Sequence, residues 1–593
     1  MVSSRILEIL LFCTLFTTVV LSKQPNVVFI LTDDQDAQMG SLSYMPSVKK
    51  HLLDQGTQYE RHFCTVALCC PSRVSLLTGR AAHNTNVTDV WPPYGGYSKF
   101  VDEGLNEQYL PVWLQEAGYN TYYTGKLMNH HHILNYFRPF PAGWTSSDFL
   151  LDPFTYSYMQ SVWQRDKEFP VSAAGQHTTD VITEKALGYI EEGSKSDSPF
   201  FLTVAPIAPH ADVTPDISQL PELGGANPGS IEFSSAPPVP LERHQSLFQD
   251  VIVPRTPNFN PNEPSGVSWV SQLPKQNQTV VDYNDEFYRN RLRALQGIDE
   301  MVETIFQRLA ELGILDNTYV VYASDNGYHI GQHRLYPGKE CGFEEDINVP
   351  LVIRGPNVPR GESTDIVTTH TDLAPTFFNM LGIDPRPEFD GSAIPFTQGD
   401  IAEAEKDRHE HVNVEHWGTA GVEGMYGKEH NGEGEDGQPE NTYKALRLVS
   451  KDYNLYYSVY CNNERELYNM AADPYQIDNL MSTANSTTLT DTDEPSISDC
   501  SISEIVPRLD ALLMVLKTCK AQDCIDPWAV LHPKGDVKSL EDALNPRYDD
   551  FYRESYETNA VSFSKCEPGQ VLSSEGPLEP LVYHSDLGWS AFV

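Results

Sequence analysis

The sequence predicts an α/β protein: a large, doubly wound, mostly parallel sheet sandwiched by helices, then a smaller C-terminal α+β subdomain on a short antiparallel sheet. Three observations predict it. Asn26-Val27-Val28-Phe29-Ile30-Leu31-Thr32 is a continuous apolar run, as expected of a strand buried on both faces of a parallel sheet. Strand-like runs alternate with helical stretches through residues 23–405. Further on, Tyr443 to Val449 and Tyr453 to Tyr460 flank a Ser-Lys-Asp turn, the pattern of two adjacent antiparallel strands.

In chain order, Pro46 to Leu53 has helical spacing and Gly56 is its stop. A helix over Leu110 to Gly118 leads into a strand at Tyr119 to Thr124. Phe200 to Val204 and Tyr319 to Ala323 are further strands, separated by long helical periodicity over Asp285 to Leu312. Val349 to Ile353 is another strand, with Pro350 near its start. Residues 212–280, rich in Pro, Ser and Asn and without sustained periodicity, are expected to form a surface insertion, and residues 418–440 a glycine-rich loop. A helix is expected at Ile505 to Lys517 within a C-terminal subdomain of residues 406–593.

Composition narrows the class of function. The chain has 593 residues, 40% hydrophobic and 11% aromatic, which is ordinary for a folded protein large enough for more than one core. With 41 basic and 82 acidic residues its net charge is −41, which argues against nucleic acid and anionic membrane surfaces as partners. Arg5 followed by the apolar run Ile9 to Phe16, with Val20-Leu21-Ser22 as a cleavage site, has the form of a secretory signal over residues 1–22. A secreted chain without stable membrane association is therefore expected; the alternative, a membrane anchor, is disfavoured because the apolar stretch is short and carries Glu8 and several Thr. Asn86, Asn277 and Asn485 open N-x-S/T sequons. Setting aside Cys13 in the leader and Cys69, the remaining cysteines form an even set: Cys64, Cys70, Cys341, Cys461, Cys500, Cys519, Cys524 and Cys566. An even set suits an oxidising compartment, and its connectivity is open.

The densest motif is Cys69-Cys70-Pro71-Ser72-Arg73-Val74-Ser75-Leu76-Leu77-Thr78-Gly79-Arg80. Pro71 suits a first helical turn and Gly79 marks the end, so residue 69 should sit at a helix N-terminus, where free N–H groups favour an anion. Two strands end in hard-oxygen side chains: Asp33-Asp34 after the first apolar run, and Asp325-Asn326-Gly327 after Val320 to Ala323. In open α/β sheets sites gather at such ends. Either pair alone is an ordinary turn. Together they would gather three carboxylates and an amide, which repel unless a cation lies between them, and all-oxygen ligands select calcium or magnesium.

The C-x-P-S-R-x-x-x-L-T-G-R pattern resembles the signature of the sulfatase family, and Arg61-His62-Phe63-Cys64 before it with Ala82 to Asn86 after it is most similar to secreted fungal-type arylsulfatases. The resemblance implies an alkaline-phosphatase-like fold and a sulfuric ester hydrolase that turns an aryl sulfate and water into a phenol and sulfate. It implies that Cys69 is converted to 3-oxoalanine (formylglycine) by a formylglycine-generating enzyme, and that the aldehyde hydrate attacks sulfur. By position it implies Asp33, Asp34, Asp325, Asn326 and modified Cys69 as ligands of one divalent cation, Ca2+ or else Mg2+. It gives catalytic roles to Cys69, Arg73, Lys126, His210 and Lys339, with a small sulfate ester as substrate. One departure stands out. Many members carry a His two residues after the Lys matching Lys126, and here that residue is Met128, leaving Asn129, His130, His131 or His132 as substitutes. A phosphonate monoester or phosphodiester hydrolase of the same superfamily is the alternative chemistry, and a secreted binding protein without catalysis the alternative class.

Overall fold

The computed structural model describes residues 24–216, 233–426, 439–484, 496–497 and 500–584; the expected signal segment 1–22 and the sequon at Asn485 lie outside them. Ten strands make one sheet: β1 (Asn26–Thr32), β2 (Thr57–Tyr59), β3 (Asn120–Gly125), β4 (Ser146–Leu150), β5 (Val162–Arg165), β6 (Val171–Ser172), β7 (Phe200–Ala205), β8 (Thr318–Ser324), β9 (Leu351–Arg354) and β10 (Glu362–Thr364). Their spatial order is β10-β2-β9-β8-β1-β7-β3-β4-β5-β6. The central strands β8, β1, β7, β3 and β4 are parallel, as the apolar runs predict. Antiparallel pairings are confined to the flanks, where β9 meets β8 and β2, and β5 meets β4 and β6.

Strand β1 shows why the sheet is covered on both faces. Val27, Phe29 and Leu31 join one apolar cluster, Val28 and Ile30 another, because successive side chains point to opposite faces. The first cluster is closed by helices α1 (Cys69–Thr78) and α4 (Leu373–Leu381), the second by α2 (Thr178–Ser194) and α3 (Gln278–Glu311). Each fully buried Phe or Ile here contributes roughly 1.5–3 kcal/mol. Helix α3 starts before the expected Asp285, because the Asn277 side chain accepts the Val280 N–H as an N-cap.

The C-terminal sheet is four antiparallel strands in sequence order, β11 (His411–His416), β12 (Tyr443–Val449), β13 (Asn454–Tyr460) and β14 (Arg465–Asn469). Helix α5 (Ile502–Leu516) covers one face through Leu509, Leu512 and Leu513. The other face, with Val414, Ala445 and Tyr456, packs on Phe63, Phe343 and Val349 next to the large sheet. The segment 212–280 is not wholly a surface insertion: Val253, Val267, Val270 and Leu273 are buried, and Asp212–Pro215 pairs with Phe233–Ala236.

The even cysteine set is only partly paired. Disulfides join Cys461 to Cys566 and Cys519 to Cys524. Cys64, Cys70 and Cys341 are buried thiols, held in apolar clusters. Cys64 donates to the Asp346 carbonyl at 3.4 Å. Among the described residues no helix is long and apolar enough to cross a membrane.

Candidate active site

Parallel register builds the site. Thr32 of β1 is level with Ser324 of β8, so the next residues, Asp33 and Asp325, leave the sheet side by side. Asp34 adopts φ 67°, a left-handed conformation that Asp tolerates better than most residues. That turn lets the Asp34 N–H donate to Asp325 Oδ1 at 3.0 Å, locking the two strand ends together. Lys126 follows β3 directly. Gly125, at φ +114°, allows this, since a Cβ there would lie 2.0 Å from the Ala205 carbonyl oxygen. His210 comes from the loop after β7, and its N–H donates to the Ile207 carbonyl at 2.8 Å. Residue 69 is the first residue of α1, and Gly79 at φ 67° ends that helix.

All nine expected site residues, Asp33, Asp34, Cys69, Arg73, Lys126, His210, Asp325, Asn326 and Lys339, are buried. Cys69 Sγ lies 3.6 Å from Asp33 Oδ1, 4.0 Å from Asp34 Oδ1 and 3.3 Å from Lys339 Nζ. Lys126 Nζ donates to Asp33 Oδ2 at 2.6 Å, and Lys339 Nζ to Asp34 Oδ1 at 2.7 Å. Arg73, one turn along α1 from Cys69, spans two strand ends: Nε donates to Asp325 Oδ2 at 2.8 Å and Nη1 to the Lys126 carbonyl at 2.5 Å. Ligand atoms of Asp33, Asp34, Cys69 and His210 fall within 4.8 Å of one another.

The electrostatics follow from this packing. Burial alone would raise the Asp33 carboxyl, but Lys126 and Arg73 outweigh it and hold it below its ordinary range. Burial pushes the Cys69 thiol up despite Lys126 and Lys339 beside it. Asn326 donates to Asp34 Oδ1 at 2.8 Å, while its own Oδ1 is buried with no hydrogen-bond partner among the described residues. Such an orphan is costly unless something accepts its lone pairs. A hard cation among Asp33, Asp34, Asp325 and Asn326 would do so, and the donor set fits calcium or magnesium.

The family model for sulfatases matches residues 25–383. An arylsulfatase of Volvox carteri is 34% identical over 576 residues, spanning 93% of this chain and 83% of that protein. The chain belongs to the sulfatase family. The sulfatase ppz1 of Metarhizium majus is 37% identical over 435 residues, 73% of this chain and 87% of that one. A protein solved in complex with its substrate D-glucosamine-2-N,6-O-disulfate shares the fold, with a TM-score of 0.60 at 20% identity, covering 78% of this chain and 95% of that one. Within this sulfatase, sulfate ester hydrolysis is the reaction to be explained.

Two pocket residues have no counterpart among those the sequence singled out. Tyr156 stacks on His210 with ring centroids 4.0 Å apart and lies 4.6 Å from Lys126 Nζ. Its hydroxyl accepts from Asn129 Nδ2 at 2.6 Å. Glu423 Oε1 lies 3.4 Å from Lys339 Nζ and 3.7 Å from His210 Nε2. Burial would raise this carboxyl, but Lys339 and His210 outweigh it and push it down to about 2. Neither residue sits in a recognisable motif; only their place in polar loops at the strand-end side of the sheet could have drawn attention to them.

The residues after Lys126 divide. Met128 is core, and His131 is buried against Tyr97 and Phe149, where desolvation, with help from His132, lowers its pKa to about 3. His130 and His132 pack on each other at 4.7 Å. Of the four substitutes, Asn129 alone touches a pocket residue, through Tyr156. His83 and His329, which lie near motifs, bind Glu415 and Asp346 instead.

Proposed function

We propose that this sulfatase hydrolyses aryl sulfate monoesters by way of an oxidised residue 69 set against one divalent cation, calcium in preference to magnesium. The observation that carries the reading is the position of Cys69, at a helix N-terminus, 3.6 Å from Asp33 and 3.3 Å from Lys339, beside the orphaned Asn326 oxygen. Asp33, Asp34, Asp325 and Asn326 would hold the ion, which supplies positive charge for the sulfate oxygens and lowers the pKa of a hydroxyl bound to it. Once converted to an aldehyde, residue 69 supplies as its hydrate one hydroxyl to attack sulfur and a second whose loss of a proton releases sulfate.

The chain's own residues do the rest. Without an ion, the four carboxylates of Asp33, Asp34, Asp325 and Glu423 exceed the three fixed cations of Arg73, Lys126 and Lys339. A divalent ion turns that excess into one positive charge, the sign that attracts a sulfate monoester. Lys126 and Lys339 face the charge that builds on the transferred group. Arg73 holds Asp325 and the end of β3 at fixed spacing and so orients Lys126. A carbonyl can only accept, so the contact of His210 Nδ1 with the Ala211 oxygen at 2.8 Å fixes a proton on Nδ1 and leaves Nε2 facing the pocket; with a second proton on Nε2 the imidazolium can deliver that proton to the leaving oxygen and return to the neutral ring.

Passage through the secretory pathway accompanies this reading, supported by the signal-like residues 1–22 and by two disulfides. Turnover of 4-nitrophenyl sulfate compared with 4-nitrophenyl phosphate tests the chemistry: sulfate must be the better substrate, and a preference for phosphate would favour the phosphohydrolase alternative.

A further inference from the structure

Glu423 is a fixed carboxylate on a surface otherwise prepared for an anion. It belongs to residues 421–426, outside the stretch matched by the family model. Its backbone is pinned on both sides. The Glu423 N–H donates to the Pro337 carbonyl at 2.8 Å, and Val422 bridges Gly338, next to Lys339. Gly424 donates to Ser235 Oγ at 2.8 Å and adopts φ +76°, and a Cβ there would lie 2.3 Å from the Tyr283 hydroxyl. The Tyr328 hydroxyl donates to Glu423 Oε2 at 2.8 Å, so the carboxylate itself is oriented. Its Oε1 is aimed between Lys339 and His210, and its side chain stays 19% exposed while theirs are 6%. It thus stands outward of the two groups that face the transferred sulfate and the leaving oxygen.

A carboxylate in that place has two consequences. It repels a second anionic group carried next to the scissile sulfate, because like charges at close range in a partly desolvated pocket are strongly unfavourable. It can also accept a hydrogen bond from a hydroxyl or amide on the leaving group. The net charge of −41 acts in the same direction at long range. We infer that Glu423 is a specificity-determining residue that restricts this sulfatase to esters whose scissile sulfate is the sole anionic group near the pocket, on uncharged leaving groups able to donate a hydrogen bond. The inference rests on the proposed aryl sulfate reading and names the substrate class of that same site, with discrimination arising from a built-in repulsive element.

The test uses the full-length, matured enzyme and a nearly isosteric pair, 3-carbamoylphenyl sulfate and 3-carboxyphenyl sulfate. The wild type should prefer the carbamoyl ester in kcat/KM by on the order of tenfold or more, as close like charges imply. Glu423→Gln should cut that preference severalfold, chiefly by improving the carboxylate ester. Equal kcat/KM for the two esters in the wild type overturns the inference without recourse to any variant. An unchanged preference in a folded Glu423→Gln enzyme overturns it as well. Failure of the wild type to cleave either ester would instead sink the aryl sulfate reading, so the two failures are distinct.

Discussion

The ammonium of Lys339 stands 3.3 Å from the sulfur of Cys69, and the same ammonium grips both oxygens of Asp34 at 2.7 and 2.9 Å. A cation that close would activate a thiolate if the thiol ionised. Burial prevents it, pushing the Cys69 thiol far above its ordinary range even with Lys126 and Lys339 beside it. Without an ion, the same packing that crowds two ammonium groups and two carboxylates around residue 69 keeps it a thiol.

Replacing Cys69 by Ser should keep the fold, since the side chains are close in size and a serine hydroxyl can take over the polar contacts of the sulfur with Lys339, Asp33 and Asp34. A serine hydroxyl can take the sulfate but has no second hydroxyl with which to expel it. Intact-mass measurement after incubation with 4-nitrophenyl sulfate should show a stable sulfated protein, with steady turnover lower by on the order of a thousandfold or more. Full turnover by this variant would contradict the scheme.

The orphaned Asn326 Oδ1 makes a prediction about the ion. Chelation should abolish activity and lower the unfolding midpoint, and calcium should restore both at lower concentration than magnesium, because ligand binding to the folded state stabilises it by mass action. Asn326→Ala should shift the calcium dependence to higher concentration. A chelated enzyme with unchanged activity and unchanged midpoint would remove the ion from the account.

Arg73→Lys keeps the charge and loses the fork. A single ammonium cannot reach Asp325 Oδ2 and the Lys126 carbonyl with the geometry of the guanidinium, which makes contacts of 2.8 and 2.5 Å. A fall in kcat of about a hundredfold is expected, the usual scale for losing one preorganised electrostatic contact. The KM should change less, because the damage is to alignment. Wild-type kcat in Arg73→Lys would show that the fork is dispensable.

Away from the pocket, His83 sits at 2.9 Å from the buried Glu415 carboxylate, which Lys444 also contacts at 2.9 Å. Burial opposes both charges. Even so, Glu415 raises the His83 pKa, while His83 and Lys444 bring Glu415 down to about 2. The His83 contribution to stability is thus full below its ordinary value near 6.5 and lost as pH rises through its raised one. The Glu415 contribution is full above its ordinary value near 4.5 and lost as pH falls towards 2. Denaturant titration of His83→Gln should show a loss of about 1–3 kcal/mol at pH 6 that shrinks at pH 9. An equal loss at both values would mean that the pair does not act through charge.

Part of this site could be read from the residues alone, because Asp33-Asp34 and Asp325-Asn326 directly follow continuous apolar runs, and a strand buried on both faces cannot hide its end. Lys126, His210 and Lys339 stand in no pattern that local physics singles out, and only the resemblance to sulfatases pointed to them. Arg73 came with the motif that carries the resemblance, and its place one helical turn from Cys69 explains why it reaches the same pocket. Glu423 was not legible, because residues 418–440 have no periodicity and the contact between Val422 and Gly338 joins segments far apart in sequence. Tyr156 escaped in the same way. The flanking strands β5 and β6 are too short to carry an alternating pattern, and the antiparallel edges of the sheet depend on pairings that no local run specifies. The buried thiols Cys64 and Cys341 were counted with the disulfide set because number alone cannot separate a core cysteine from a paired one.

The most direct measurement is the mass of the proteolytic peptide containing residue 69, taken from active enzyme produced through a secretory pathway. The account predicts an aldehyde, with its hydrate, in place of the thiol, in a fraction that rises with specific activity. A fully active preparation whose residue 69 is entirely unmodified cysteine would contradict it.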